Sequence, residues 1–363
     1  MKNVMLYAYS QYNLGDDLFI KILCERYPNT IFHLLAPHNY SQTFSSQKNL
    51  KIIRRDSVLF RGTNLMTTKL DQRKLFYTYL SRNCDAIVYV GGSLFIQGDS
   101  WKKELKNVQE MHINSKPFFL LGANFGPFSE QAFLKAYHHL FQQFTDICFR
   151  DQYSYTLFKD LPNVRVATDM AFQLETIRAE TDPSSVIISV IKPSIRKALR
   201  DYDAIYYKKI REIALYFIEQ GYTVTLMSFC SYEKDNEAIE AITQSISVGA
   251  RSHIHTFYYK HNLDEALERI ASAAFIVATR FHSMILGWIF RKPVFPIVYS
   301  SKMTNIMKDI NFQGNYASFY TLNTLKAETV FQSIHGNMVD ITNQIIESEK
   351  QFLKLDIYLK TKT

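Results

Sequence analysis

Short apolar runs recur along this chain, each followed by a stretch with helical spacing, and few of the runs alternate apolar with polar residues. A strand that is apolar on both faces must have both covered. Helices cover them most economically in a parallel sheet, where each crossover needs a helix anyway. The pattern therefore predicts an α/β fold. Strands are expected at 4–8, 31–35, 51–54, 86–90, 118–121, 147–149 and 164–167, with helices at 17–26, 70–82, 102–113 and 131–144. The plan then repeats. Strands are expected at 186–191, 223–228, 254–257, 275–278 and 294–298, with helices at 202–219, 234–247, 263–273 and 281–290.

At 363 residues the chain exceeds what one hydrophobic core usually serves. The polar stretch 175–185, with Pro183, is the expected linker. The reading is two doubly wound, Rossmann-like domains, 1–174 and 181–325, facing a cleft. The segment 326–363 is expected as a helix, beginning as one amphipathic run over 326–350, that packs back on the first domain. Asn262 and Glu265 form a candidate capping pair.

The balance of 42 Lys+Arg against 34 Asp+Glu gives a net charge of +8, with no long run of one sign. A nucleic-acid groove needs denser basic residues, so no nucleic acid is expected as a partner. Moderate basicity suits an anionic small substrate or an anionic membrane leaflet. Cys24, Cys84, Cys148 and Cys230 are far apart and lack CxxC spacing, which predicts neither disulfides nor zinc. The first residues lack a secretory apolar core and no 18-residue apolar run occurs. A cytoplasmic protein is expected, with peripheral association at the inner face of the cell membrane. Phe and Tyr are abundant, at 27 and 23 residues; most should fill cores, and a share could line a sugar site.

In doubly wound folds ligands bind beyond the carboxyl ends of the strands. The loops there are distinctive. The first carries Asn13, Gly15, Asp16 and Asp17, with Asp16 or Asp17 expected to cap the next helix and Asn13 to bind hydroxyls. Later ones hold Gly91-Gly92-Ser93, Gly122 to Pro127 with Asn124, Arg150-Asp151, and Thr168-Asp169, where Asp169 can orient Arg150 or cap a turn. Near the C-terminal end, strand 274–278 runs into Thr279-Arg280-Phe281-His282-Ser283 and an apolar helix. Unpaired amides and the helix dipole make that start an anion site, and Arg280 adds a guanidinium. His282 is the nearby side chain whose ordinary pKa suits proton transfer at neutral pH. Lys302 follows the next strand as a further point charge. His138, His139, His253 and His255 lack partners at metal spacing, so no metal is expected.

As an ordered set, Asn13-x-Gly15-Asp16-Asp17, Gly91-Gly92-Ser93, Gly122 to Pro127, Arg150-Asp151-x-x-Ser154, Thr168-Asp169 and Arg280-Phe281-His282 with Lys302 resemble the polysaccharide pyruvyl transferase family. The match runs from residue 3 to about residue 310. Phe281 stands where Leu is common in that family. The resemblance implies a glycosyltransferase-B-like fold, phosphoenolpyruvate as co-substrate and no cofactor. It implies transfer of the pyruvyl group to two hydroxyls of a sugar in a surface-polysaccharide precursor, giving a ketal and phosphate. Arg150, Arg280, Phe281 and Lys302 are then donor contacts, and His282 is the acid. The acceptor is a glycan, with a lipid-linked oligosaccharide as one form. Asn13, Gly15, Asp16, Asp17, Gly91, Gly92, Ser93, Asn124 and Asp169 are expected on the acceptor side or in the cleft wall, with Arg150 reaching across. Asp16, Asp17, Asp169 and the departing phosphate are the candidates for base.

Two other readings remain at this point. A nucleotide-sugar glycosyltransferase of the same architecture would use Glu233 or Asp235 on a ribose. A catalytically idle anion- or glycan-binding module would release no phosphate.

Overall fold

A computed structural model of the chain describes residues 1–175, 177 and 179–360. It divides into two compact units. The first comprises Met1–Ser10, Asp16–Gln173 and Gln344–Thr363, and the second Gln11–Gly15 and Leu174–Asn343. The linker stretch 175–185 includes residues 176 and 178, which lie outside the described residues.

The first unit is built on seven strands: β1 (Lys2–Ala8), β2 (Thr30–Ala36), β3 (Leu50–Arg54), β4 (Ala86–Val90), β5 (Phe118–Ala123), β6 (Asp146–Phe149) and β7 (Val164–Val166). They pair in parallel in the order β3-β2-β1-β4-β5-β6-β7. The order reverses between β1 and β4. The segments beyond those two strands, with Asp16-Asp17 and Gly91 to Ser93, therefore flank the switch point, where helices on opposite faces leave a crevice. β5 is buried along its whole length, as its unbroken apolar sequence requires.

The second unit has β8 (Ser185–Val190), β9 (Thr223–Ser228), β10 (Ile254–Phe257), β11 (Phe275–Ala278), β12 (Val294–Val298) and β13 (Ala317–Ser318). Their order is β10-β9-β8-β11-β12-β13, again all parallel. Its switch point lies between β8 and β11, so the loops carrying Arg196 and Arg280 share that end of the sheet. Two parallel doubly wound sheets meet the fold class expected from the sequence.

The aromatic excess is largely core. Phe125 packs edge-on against Phe158 with ring centroids 4.8 Å apart, and Phe133, Tyr137 and Phe141 complete the cluster under the β5 loop. In the second unit Phe217, Phe275, Tyr206 and Phe319 play the same part.

Several local expectations need correction. Residues 326–350 are not one helix. They form Ala327–Gln332, a short 3₁₀ turn and then Thr342–Ser348. The break falls at Gly336-Asn337, where the Asn337 amide instead donates to the carbonyls of Val294 and Asn315. Only residues from Gln344 onward belong to the first unit, whereas 11–15 belong to the second. Asn262 and Glu265 bond to each other through their side chains, and Asn262 Oδ1 accepts the Lys260 amide and not one of the helix Leu263–Ser272. The expected helix 70–82 is Arg73–Ser81, preceded by a helix, Val58–Lys69, that the sequence reading missed. β13, two residues long, was missed as well.

No helix among the described residues is long and apolar enough to cross a membrane.

Candidate active site

In the second unit the strand ends gather a dense set of charges. β11 leads through Thr279 into the helix Phe281–Ile289, with Arg280 at its N-cap position. The backbone amides of Thr279 and Arg280 both donate to the Ser189 hydroxyl at 2.9 and 3.2 Å, and the Tyr206 hydroxyl donates to Thr279 at 3.0 Å. These buried bonds fix where the Arg280 side chain leaves the strand.

The Arg280 guanidinium is almost wholly buried and forks onto Asp235, through Nε at 3.0 Å and through Nη2. Its Nη1 donates to Glu233 at 2.6 Å. Burial alone would lower its pKa, but the Asp235 and Glu233 charges outweigh it, so Arg280 stays a cation. Asp235 also accepts from the amides of Phe229 and Cys230 at 3.0 and 2.9 Å. Glu233 bridges onward to Nη2 of Arg196. Burial pushes Glu233 up, yet the Arg280 and Arg196 cations hold it at about 2.

Arg196 stands in the loop after β8 and lies over the Tyr299 ring, 4.8 Å from its centroid. Its Nη1 is buried with no hydrogen-bond partner among the described residues. Tyr299 follows β12. Burial would raise its phenol, but Lys302, Arg196 and Arg280 pull it below the ordinary value. Ser300 occupies the N-cap position of the helix Ser301–Asp309, and its hydroxyl oxygen is likewise buried and unmet. Lys302, in the first turn of that helix, places Nζ 5.6 Å from the Phe281 ring centroid. The Phe281 ring in turn meets the His282 imidazole edge-on at 5.0 Å.

The loop after β1 belongs to this cluster. Tyr12 takes a left-handed backbone, φ 52°, and its ring meets His261 at 4.9 Å. Asn13 bridges to Cys230, and the Leu14 amide donates to the Phe229 carbonyl at 3.0 Å. Asn13, not Asp16 or Asp17, caps the helix Leu14–Arg26, through its Oδ1 to the Gly15 amide at 3.1 Å. The cap falls there because the helix starts three residues earlier than expected. Gly15 is needed for close approach, since a Cβ on it would stand 1.7 Å from Nδ1 of His282. Gly15→Ala is therefore expected to push the imidazole aside; with His282 in the proposed role of proton donor, kcat should fall by about 10²-fold, because such displacements disrupt the reacting geometry. Steady-state kinetics beside a thermal melt checks this, with Tm expected to hold.

The remaining candidates cluster in the first unit. Arg150, directly after β6, is buried and donates to Asp169 at 2.8 Å and to Asn124 at 2.6 Å. Its guanidinium lies against Gly92, where a Cβ would come within 2.7 Å of Nη1. Asp169 also accepts the Ala171 amide at 2.9 Å, so it both orients Arg150 and caps a turn. Asp16 accepts the Gly92 amide at 3.2 Å, and Ser93 reaches Asn124 at 3.4 Å. Gly91 packs on the Leu94 side chain, and Asp17 is fully buried in the helix. Asp151 caps the helix Gln152–Phe158, accepting the Ser154 amide at 2.8 Å and the Ser154 hydroxyl at 3.1 Å. A residue from far along the chain supports the strand ends. Gln351 accepts the Gly122 amide and donates to the carbonyls of Phe149, Ala167 and Thr168.

Sequence reasoning missed Arg196, Tyr299, Ser300 and Gln351 as parts of these clusters. Ser300 lies just after β12 and Arg196 in the longer loop after β8, and that position at the carboxyl edge was the available signal. Gln351 carried none. Among the described residues no group of His, Cys, Asp and Glu could hold a metal ion.

Known structures share the architecture. The UDP-glucose complex of Anabaena Alr3699/HepE superposes with a TM-score of 0.60 at 12% identity, covering 99% of this chain and 100% of that one. The UDP-GlcNAc 2-epimerase from Neisseria meningitidis gives 0.59 at 11%, over 99% and 100%. The Escherichia coli ADP-heptose lipopolysaccharide heptosyltransferase II gives 0.53 at 14%, over 96% and 100%. The fold is thus glycosyltransferase-B-like, with two Rossmann-like domains. Within that class the family model "polysaccharide pyruvyl transferase" matches residues 13–301, and the chain belongs to this family. It is a transferase of polysaccharide biosynthesis. It is also similar to the amylovoran biosynthesis protein AmsJ of Erwinia amylovora, 21% identical over 302 residues, 76% of this chain and 71% of that protein.

Proposed function

We propose that this protein transfers the pyruvyl group of phosphoenolpyruvate to two hydroxyls of a sugar in a polysaccharide precursor, forming a cyclic ketal and releasing phosphate. The observation that carries the reading is the second unit's cluster. Arg196 Nη1 and the Ser300 hydroxyl are buried and unmet beside Lys302, at the uncapped start of a helix and next to His282. Buried polar groups without partners are costly, and an anionic ligand would satisfy them. A donor carrying both a carboxylate and a phosphate suits cations spread over three neighbouring strand ends.

In this reading His282 protonates the methylene carbon of the donor, and positive charge develops at the central carbon. One sugar hydroxyl adds there, the carbon–oxygen bond to phosphate breaks, and the second hydroxyl closes the ring. Of the two hydroxyl protons, one balances the new methyl group and the other leaves with phosphate. Arg196 and Lys302 hold the anions. Arg280 contributes its field and its fixed helix start, while its side chain is occupied with Asp235 and Glu233. Tyr299, acidified by its cations, stands beside the same helix start as a second proton-handling group. No cofactor is required on this account.

Lys302→Ala and Arg196→Ala are each expected to weaken phosphoenolpyruvate binding by about 1.5–3 kcal/mol, measured by calorimetric titration. Arg150→Ala belongs in the same series. An unchanged affinity there, with loss at Lys302, would confine the donor contacts to the second unit. Unchanged affinity in all three variants would sink the reading. A nucleotide-sugar reading has less support, because Glu233 and Asp235, the carboxylates it needs, are both bonded to arginines. Thermal stabilisation by phosphoenolpyruvate, and none by UDP-sugars, is the expected discrimination.

A further inference from the structure

The helix Val58–Lys69 is inside-out. Its half-buried positions are Phe60, Thr63, Asn64 and Thr67, while its large apolar residues Val58, Leu59, Leu65 and Met66 all turn to solvent. Val58, Leu59, Leu65, Met66 and Leu70, with Leu75 on the next helix, are between 55% and 89% exposed. The spacing of the first five, i, i+1, i+7, i+8 and i+12, places them on one stripe. No residue of this helix is fully buried. Its inner side is fastened through Phe60, which meets Phe76 edge-on at 5.0 Å. A soluble surface seldom keeps such a patch without use.

Charge selects what covers it. Arg61, Lys69, Lys74 and Arg82 are exposed around the stripe. Asp71 is the only acid between residues 57 and 84, and Lys106 pairs with it. A second copy of the chain would set these cations against themselves. An anionic lipid surface would instead accept the apolar side chains below its headgroups and the cations among them. We propose that the helix pair Val58–Lys69 and Arg73–Ser81 is an interfacial anchor that docks this protein on an anionic phospholipid bilayer. This does not depend on the pyruvyl-transfer reading, because binding is read without catalysis.

The test is flotation of the full chain with phosphatidylcholine vesicles, with and without phosphatidylglycerol. Wild-type protein should float with the anionic vesicles, and added salt should weaken the association. The double variant Leu59→Asp, Met66→Asp should lose flotation, each side chain removed being worth roughly tenfold in partitioning. Its Tm should be unchanged, since both side chains are already exposed. Lys69→Ala with Lys74→Ala should weaken binding roughly fivefold per charge. The proposal is overturned if wild-type protein stays with the unbound fraction, or if the double variant floats equally well. It is overturned too if sedimentation shows a wild-type dimer that the double variant dissolves, because a second copy would then be the occupant.

Discussion

Replacing His282 by alanine is expected to cut pyruvyl transfer by about 10²–10⁴-fold, the usual contribution of a positioned acid or base. Donor affinity should change little. The imidazole makes contact with Gly15 and the Phe281 ring, whereas the groups proposed to hold the anions are Arg196, Ser300 and Lys302. The fold should survive, because the side chain is only half-buried. Initial rates of phosphate release, with phosphoenolpyruvate titrated separately, check both halves. A variant that turns over near the wild-type rate would move the acid role elsewhere, and Tyr299 would be the first residue to replace. If His282→Ala abolished donor binding instead, the imidazole would be an anion contact and not the proton donor.

A second large effect concerns stability. Arg280→Ala is expected to destabilise the protein by about 3–5 kcal/mol, because it leaves Asp235 without its charge partner in a fully buried position. Asp235 would keep only the Phe229 and Cys230 amides. Denaturant unfolding with an unchanged m-value is the measurement. Arg280→Lys should recover part of the loss, since one ammonium replaces a fork that bonds two carboxylates. Should Arg280→Ala unfold at the wild-type midpoint while donor binding fails, Arg280 would be chiefly a ligand residue, and the carboxylate network would be incidental to folding. The resemblance of Arg280-Phe281-His282 to the family pattern implies a donor contact. The structure assigns that guanidinium three bonds to carboxylates of its own unit.

The sequence by itself determined the fold class and which loops lie at the carboxyl edges of the sheets. Short apolar runs such as those around Ile187-Ile188 or Leu120-Leu121 favour strands covered on both faces, and every expected strand is present. In parallel sheets the carboxyl edge collects the connecting loops and the helix starts, so Arg150, Arg280, His282 and Lys302 could be read as residues just beyond that edge. Local patterns have a short reach, and what lay beyond it was lost. The helix Val58–Lys69 was missed; its apolar stripe faces outward, and nothing among the described residues buries it. The break at Gly336-Asn337 depends on carbonyls of Val294 and Asn315, and the latter is 22 residues away. Only the tertiary structure decided which charges are spent and which are unmet. Arg280 looked like the obvious anion ligand, but residues 45 and 47 positions away in sequence engage it. Arg196, an ordinary basic residue in the sequence, ends with a buried nitrogen awaiting a partner. Likewise, no pattern in the sequence ties Gly15 to His282. That pairing, and the placing of residues 11–15 with the second unit, follow from where the β1 loop is bonded to Phe229 and Cys230. Hydrogen bonds and ion pairs between distant residues are set by three-dimensional packing, and linear periodicity carries no record of them.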